Sequence, residues 1–154
     1  IYLISDFGSI AGGWMSSKLI ARGRSVNFAR KATMLLCAVL ILPIWFAQDV
    51  STVWGAVLLI GLATAGHQAF SCNLYTLPSD LFPQGAVGTV IGFGGTVGAI
   101  GGMFMAKFTG YILDATHSYG LLFAIAASAY FAALLAIQLL SPGLAPIEVE
   151  AGEQ

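Results

Sequence analysis

Thr64, His67, Gln68, Ser71 and Tyr75 follow one another at steps of three, one, three and four residues. That spacing stacks all five side chains on one face of an α-helix. Hydroxyls, an amide and an imidazole together make a wall of mixed donors and acceptors, suited to a ligand bearing many hydroxyl or carboxylate oxygens. Each hydroxyl has a plainer use. Thr64 and Ser71, taken singly, are better read as bonding back to their own helix. The row as a whole is read as a substrate-binding wall. His67 has a second reading as a proton carrier, ranked below binding, because imidazole exchanges protons near neutral pH. Asn73 lies off this face and is expected to cap or pack.

Two other chemistries compete for the same residues. An intramembrane serine protease would pair His67 as base with a serine such as Ser9 or Ser16 from another helix. No serine here is framed by the glycines such nucleophiles usually display, and the row holds more hydrogen-bonding groups than a dyad needs. The glycines from Gly88 to Gly102 lack the order of a phosphate-binding loop and any following Lys. Cys37 and Cys72 sit in separate apolar runs and read as small hydrophobes, so neither a disulfide, a metal nor a cofactor is expected.

The polar row is embedded in hydrocarbon-like sequence. Apolar runs cover Ile1–Leu19, Ala32–Ala47, Thr52–Leu77, Val87–Leu113 and Gly120–Leu140, each near or above the ~20 residues that carry a helix across a ~30 Å hydrocarbon core. The chain is 58% hydrophobic and 8% charged, with a mean hydropathy of +0.87. A water-soluble domain needs more charge than this to cover its surface. The runs do not alternate, which excludes a barrel. The expected fold is all-α, a polytopic transmembrane helical bundle of five spans. In such a setting a polar row must face protein or water.

Five of the six Lys and Arg residues, Lys18, Arg22, Arg24, Arg30 and Lys31, cluster after the first run. Short basic loops stay on the cytoplasmic side, so the first loop and the C-terminus are placed in the cytoplasm of a plasma (inner) membrane protein. Ala47–Ser51 and Asp114–Tyr119 then face outward, without Lys or Arg, and Pro78–Ala86 faces inward. The segment 141–154, with Glu148, Glu150 and Glu153, reads as a disordered polar tail. Pro43 should kink the second helix, Pro78 and Pro83 should bracket the third loop, and Ser118 should cap the last helix. The start inside an apolar run, with no initiator Met, points to a C-terminal piece of a longer protein.

The helices differ in character. The second and fifth are large and uniformly apolar, as lipid-facing helices are. The first, with Gly8, Gly12 and Gly13, and the fourth, with Gly88, Gly92, Gly94, Gly95, Gly98, Gly101 and Gly102, are packing helices, because small residues let backbones approach in lipid. Asp6 and Lys107 sit at similar depth near the outer side. Three readings stand side by side: an outer-rim charge pair, a rim contact of Lys107 with an anionic substrate, and snorkelling of Lys107 to the interface.

Gly12-Gly13-Trp14-Met15-Ser16-Ser17-Lys18 followed by Arg22-Gly23-Arg24 resembles the cytoplasmic loop between helices eight and nine of major facilitator superfamily transporters. The stretch from His67 through Asn73-Leu74-Tyr75-Thr76-Leu77-Pro78-Ser79-Asp80-Leu81-Phe82-Pro83 into Gly92-Phe93-Gly94-Gly95 resembles the anion:cation symporter branch, and within it bacterial hexuronate and sugar-acid transporters. The resemblance implies part of a twelve-helix major facilitator fold with a central site alternately open to each side. Residues 1–140 would be helices eight to twelve, lacking the first helix of the C-terminal half and the whole N-terminal half. It also implies that the third segment lines the cavity, that the first and fourth face the other half, and that the second and fifth are peripheral. Lys18, Arg22 and Arg24 would form the basic half of a cytoplasmic gating loop, whose usual acid is replaced here by Ser17. The implied activity is secondary transport, with proton-coupled uptake of a sugar acid (hexuronate or aldonate) or a similar organic anion. Its partners are that anion, protons, the lipid bilayer and the missing half; no nucleic acid and no enzymatic step is expected. The third alternative is a truncated membrane fragment that does not transport.

Overall fold

The computed structural model describes residues 1–147; Glu148, Glu150 and Glu153 of the expected tail lie outside the described residues. Five α-helices follow in order: α1 Tyr2–Ala21, α2 Val26–Ile41, α3 Val53–Leu81, α4 Gln84–Thr116 and α5 Gly120–Leu140. A 3₁₀ segment, Leu42–Gln48, continues α2. No strand occurs among the described residues. The chain is a helical bundle, as its unbroken apolar runs require.

Four stretches are long and apolar enough to cross a membrane: Val26–Gln48, Val53–Leu81, Gln84–Thr116 and Gly120–Leu140. α1 is not among them, although its 20 residues would reach about 30 Å at 1.5 Å per residue. Ser5, Asp6, Ser9, Ser16, Ser17 and Lys18 dilute its apolar character, so one face of α1 needs protein neighbours, while Leu3, Phe7, Ile10 and Trp14 stay exposed. That face obtains them. α1 against α3 is the most extensive helix pairing in the fold. A Cβ added at Gly12 would stand 2.6 Å from the Ala69 Cβ, and one at Gly8 would collide with the Ala65 backbone. Only glycine permits this approach.

α2 packs on α3 through Ala29, Thr33, Met34, Cys37, Ala38 and Ile41, all buried, while Leu35, Leu36, Val39 and Leu40 point outward. The lipid-facing reading therefore holds for one side of α2 only. Met34, Cys37, Ala69 and Phe70 form the core, covered by Tyr130, Ala133, Leu134 and Ile137 of α5. Cys37 is buried there as a small hydrophobe, and both cysteines are free.

The prolines act differently from the expectation. Pro43 does not kink a continuous helix: α2 stops at Ile41 and the chain tightens into the 3₁₀ segment, with Pro43 in its first turn. A ring that supplies no N–H and crowds the preceding turn favours that exchange. Pro78 does not open the third loop. α3 runs through it to Leu81, and the Phe82 N–H closes the helix on the Pro78 carbonyl at 2.9 Å. The expected loop Pro78–Ala86 shrinks to Phe82–Pro83. Ser118 is not the cap of α5, a position that Tyr119 takes without a side-chain cap bond, although its Oγ accepts from the Gly120 N–H at 3.2 Å. Past α5, Leu144 is buried and the Ile147 N–H donates to the Leu81 carbonyl at 2.7 Å, so residues up to 147 return to the bundle.

Candidate functional site

α3 carries two stripes. Gly66, Ala69, Phe70, Asn73 and Leu77 are buried against α1, α2 and α5. At 100° per residue, Thr64, Gln68, Ser71 and Tyr75 fall on the opposite side, with His67 at one margin. Tyr75 and His67 are exposed, whereas Thr64, Gln68 and Ser71 are half-buried. Among the described residues no helix covers Tyr75 or His67, while Thr64, Gln68 and Ser71 are partly covered.

The five members are not alike. The Thr64 hydroxyl donates to the Gly61 carbonyl at 2.9 Å, the back-bond expected of it. His67 Nδ1 lies 2.7 Å from the Tyr130 hydroxyl, with the two rings edge to face at 6.0 Å. Both residues line a hollow of about 210 Å³ with Ile41, Ile44 and Ala126. Gln68, Ser71 and Tyr75 have no side-chain hydrogen bond among the described residues. Tyr75 opens onto a second hollow of about 400 Å³ between α3 and α4. Three groups of the row, an amide and two hydroxyls, therefore have no side-chain partner among the described residues.

The geometry gives the protease reading no support. Ser16 is fully buried, with its hydroxyl donating to the Gly13 carbonyl and accepting from Arg30 Nη1 at 2.9 Å. His67 is turned to Tyr130. No serine–histidine hydrogen bond occurs among the described residues.

The strongest polar assembly lies behind the row. Arg30 Nε donates to Asp80 Oδ2 at 2.9 Å, the only salt bridge among the described residues. Arg30 Nη1 also reaches Asn73 Oδ1 at 3.4 Å. Asn73, fully buried, donates to the carbonyls of Gly12 at 3.2 Å and Ala69 at 3.0 Å. One guanidinium thereby joins α1, α2 and α3 at one end of the bundle. Reading Arg30 as one of a cluster of loop charges missed this. A lone Arg a few residues into an apolar helix, and a lone Asp near the end of another, were the available signal.

The remaining candidates are scattered. Lys18 lies over the Trp14 ring at 4.2 Å and Arg24 over the Phe28 ring at 5.6 Å. Arg22 is exposed. None of the three pairs with a carboxylate among the described residues; Arg30 is the cation that does. Asp6 and Lys107 are both exposed and are not brought together, because α1 and α4 do not touch. No group of three or more metal-ligating side chains occurs among the described residues.

No protein-family model and no solved structure matches the chain. Curated proteins do. The chain is 30% identical over 136 residues to a probable galactarate/D-glucarate transporter of Bacillus subtilis, covering 88% of this chain and 30% of that protein. It is 32% identical over 149 residues to a hexuronate transporter of the same organism (92% and 34%). It is 30% identical over 135 residues to a chloroplastic ascorbate transporter of Arabidopsis thaliana (86% and 24%). The chain spans about a third or less of the length of these relatives. Its relatives over most of its length are sugar-acid transporters of the major facilitator superfamily, the group its motifs resemble.

Proposed function

We propose that this chain is part of a secondary transporter for a sugar acid, and that the outward row of α3 is the share of the solute site it supplies. The observation that carries this reading is the division of α3: its buried stripe is occupied by α1, α2 and α5, and its polar stripe is left to something else. Gln68, Ser71 and Tyr75 offer two hydroxyls and an amide to a polyol chain, and Thr64 and His67 border them. Solutes named for the relatives, hexuronate and galactarate or glucarate, are dense in such oxygens. Lys107, exposed beside Met103 and Phe104 on α4, is the cation in this chain placed to meet the carboxylate at the outer rim.

Residues 1–140 act in this reading as five helices of a larger bundle whose remaining helices cover α4 and close the cavity opposite α3. The basic loop after α1 lies on the cytoplasmic side of the plasma membrane, and protons are the coupling ion. The Arg30–Asp80 pair, with Ser16 and Asn73, holds the cytoplasmic ends of α1, α2 and α3 as one block while the cavity opens and closes.

The test is uptake of labelled glucuronate by cells making the full-length transporter. Gln68→Ala and Ser71→Ala should each lower apparent affinity about tenfold, the effect of removing one well-made hydrogen bond of about 1–1.5 kcal/mol, at unchanged membrane abundance. Wild-type transport by both variants would remove the row from the site.

A further inference from the structure

We propose that the groove between α2 and α5 is a binding site for an anionic phospholipid bearing headgroup hydroxyls, of the phosphatidylglycerol type. The groove has a volume of about 530 Å³, well within the roughly 300–1,000 Å³ of ligand clefts. One long wall is hydrocarbon: Leu35 of α2 and Phe131, Leu134 and Leu135 of α5. One end is polar, where Asn27, Lys31 and Gln138 line it. On α2 the sequence Asn27, Lys31, Leu35 advances by four residues, so polarity gives way to hydrocarbon along a single helical stripe. That gradient is the gradient of a lipid, headgroup to chain.

The charge at the polar end is unbalanced. Lys31 Nζ donates to Gln138 Oε1 at 2.8 Å and to the carbonyl oxygens of Ser141 and Pro142 at 2.9 Å each. All three acceptors are neutral, so they orient the ammonium without cancelling it. The two carbonyls fix it against the end of α5. Gln138 is the acceptor on the groove side, and the one a phosphate oxygen would replace. Arg24 does not line the groove but brings a second cation near it, its guanidinium 5.6 Å from the Phe28 ring that does. The groove contains no acidic side chain. Asn27 Oδ1 is buried without a hydrogen-bond partner among the described residues. A buried acceptor left open is costly, and a headgroup hydroxyl is a donor that fits it. A zwitterionic headgroup of the choline type has no such donor and brings its own cation toward Lys31 and Arg24.

On the orientation proposed above, this end lies at the cytoplasmic leaflet, but the binding proposal depends neither on that orientation nor on the transported solute. The test uses the full-length transporter, purified in detergent, delipidated, and titrated with dioleoyl phosphatidylglycerol or dioleoyl phosphatidylcholine while binding is followed by native mass spectrometry. Wild type should prefer phosphatidylglycerol by about fivefold for each cation engaged, the effect of one Lys or Arg on an anionic headgroup. Arg24→Gln combined with Lys31→Gln should remove the charge-dependent part of that preference, leaving only the smaller part due to the headgroup hydroxyl at Asn27. Leu135→Trp, at an exposed position on the hydrocarbon wall, should weaken both lipids without altering the charges. Glycerol phosphate, with the headgroup charge and no chain, should not bind. Equal binding of the two lipids by wild type overturns the proposal, as does a preference undiminished by the double substitution or a groove indifferent to Leu135→Trp. Lys31 also ties α2 to the end of α5, so if the double variant fails to fold, the wild-type preference and Leu135→Trp decide the matter.

Discussion

α1 and α4 are written in the same vocabulary of small residues, yet they meet different fates in the fold. In α1 the glycines are used up: Gly8 and Gly12 lie against the Ala65 and Ala69 backbones so closely that no Cβ fits. In α4, Gly88, Gly92, Gly94, Gly95, Gly98, Gly101 and Gly102 have nothing within contact range of an added Cβ, and Ile112 is the one buried residue of the helix. A small-residue pattern therefore declares that a helix packs closely without saying on what. For α1 the partner is in this chain. For α4 no partner is found among the described residues, and α4 touches only α3 and α5.

Substitution can break this contrast, beginning with the largest effect. Gly12→Leu must drive a side chain into α3 backbone, which has no room to yield. It should cost about 3 kcal/mol or more, read as a fall in the thermal midpoint of the purified transporter. Arg30→Gln comes next, leaving Asp80 without its cation and Ser16 and Asn73 without their shared donor. Losses of this kind run to about 3–5 kcal/mol for fully buried pairs; with side chains 12% and 22% exposed, about 2 kcal/mol is expected. Exchanging the two residues (Arg30→Asp with Asp80→Arg) should recover part of it. Tyr130→Phe removes only the hydroxyl from His67 and should cost about 0.6 kcal/mol, the mean for interhelical hydrogen bonds in membranes. Gly95→Leu should change the stability of this chain least, within about 0.5 kcal/mol, because nothing in it lies within contact range of an added Cβ; on the function proposed above it should lower uptake by the full-length transporter. If Gly95→Leu destabilises as much as Gly12→Leu, α4 is firmly packed in the whole protein and the contrast disappears.

Much of the architecture was legible because lipid imposes few options. Run lengths alone yield the helix count, and the row from Thr64 to Tyr75 stands out because polar groups at helical spacing are conspicuous among apolar neighbours. What stayed hidden has physical reasons. Arg30 and Asp80 are 50 residues apart, and each looks like an ordinary charge near a loop until two helices are laid side by side. Tyr130 sits in the most apolar helix and reads as lipid-facing, although its hydroxyl is the partner of His67. Pro78 marks the end of a helix in isolation, but Leu77 just before it is buried and Asp80 just after it is tied to Arg30 of α2, and together they hold the helical path past the ring.

The clamp around Arg30 also restricts how the bundle can deform. With Asn73 fastened to Gly12 and to its own Ala69 carbonyl, and with Asp80 fastened to α2, α3 cannot swivel about its long axis without tearing those fastenings. Any displacement of α3 and its polar row must carry α1 and α2 as cargo. The slack in the chain then falls at the two-residue corner Phe82–Pro83, where the extended backbone of both residues makes the joint about which α4 can swing.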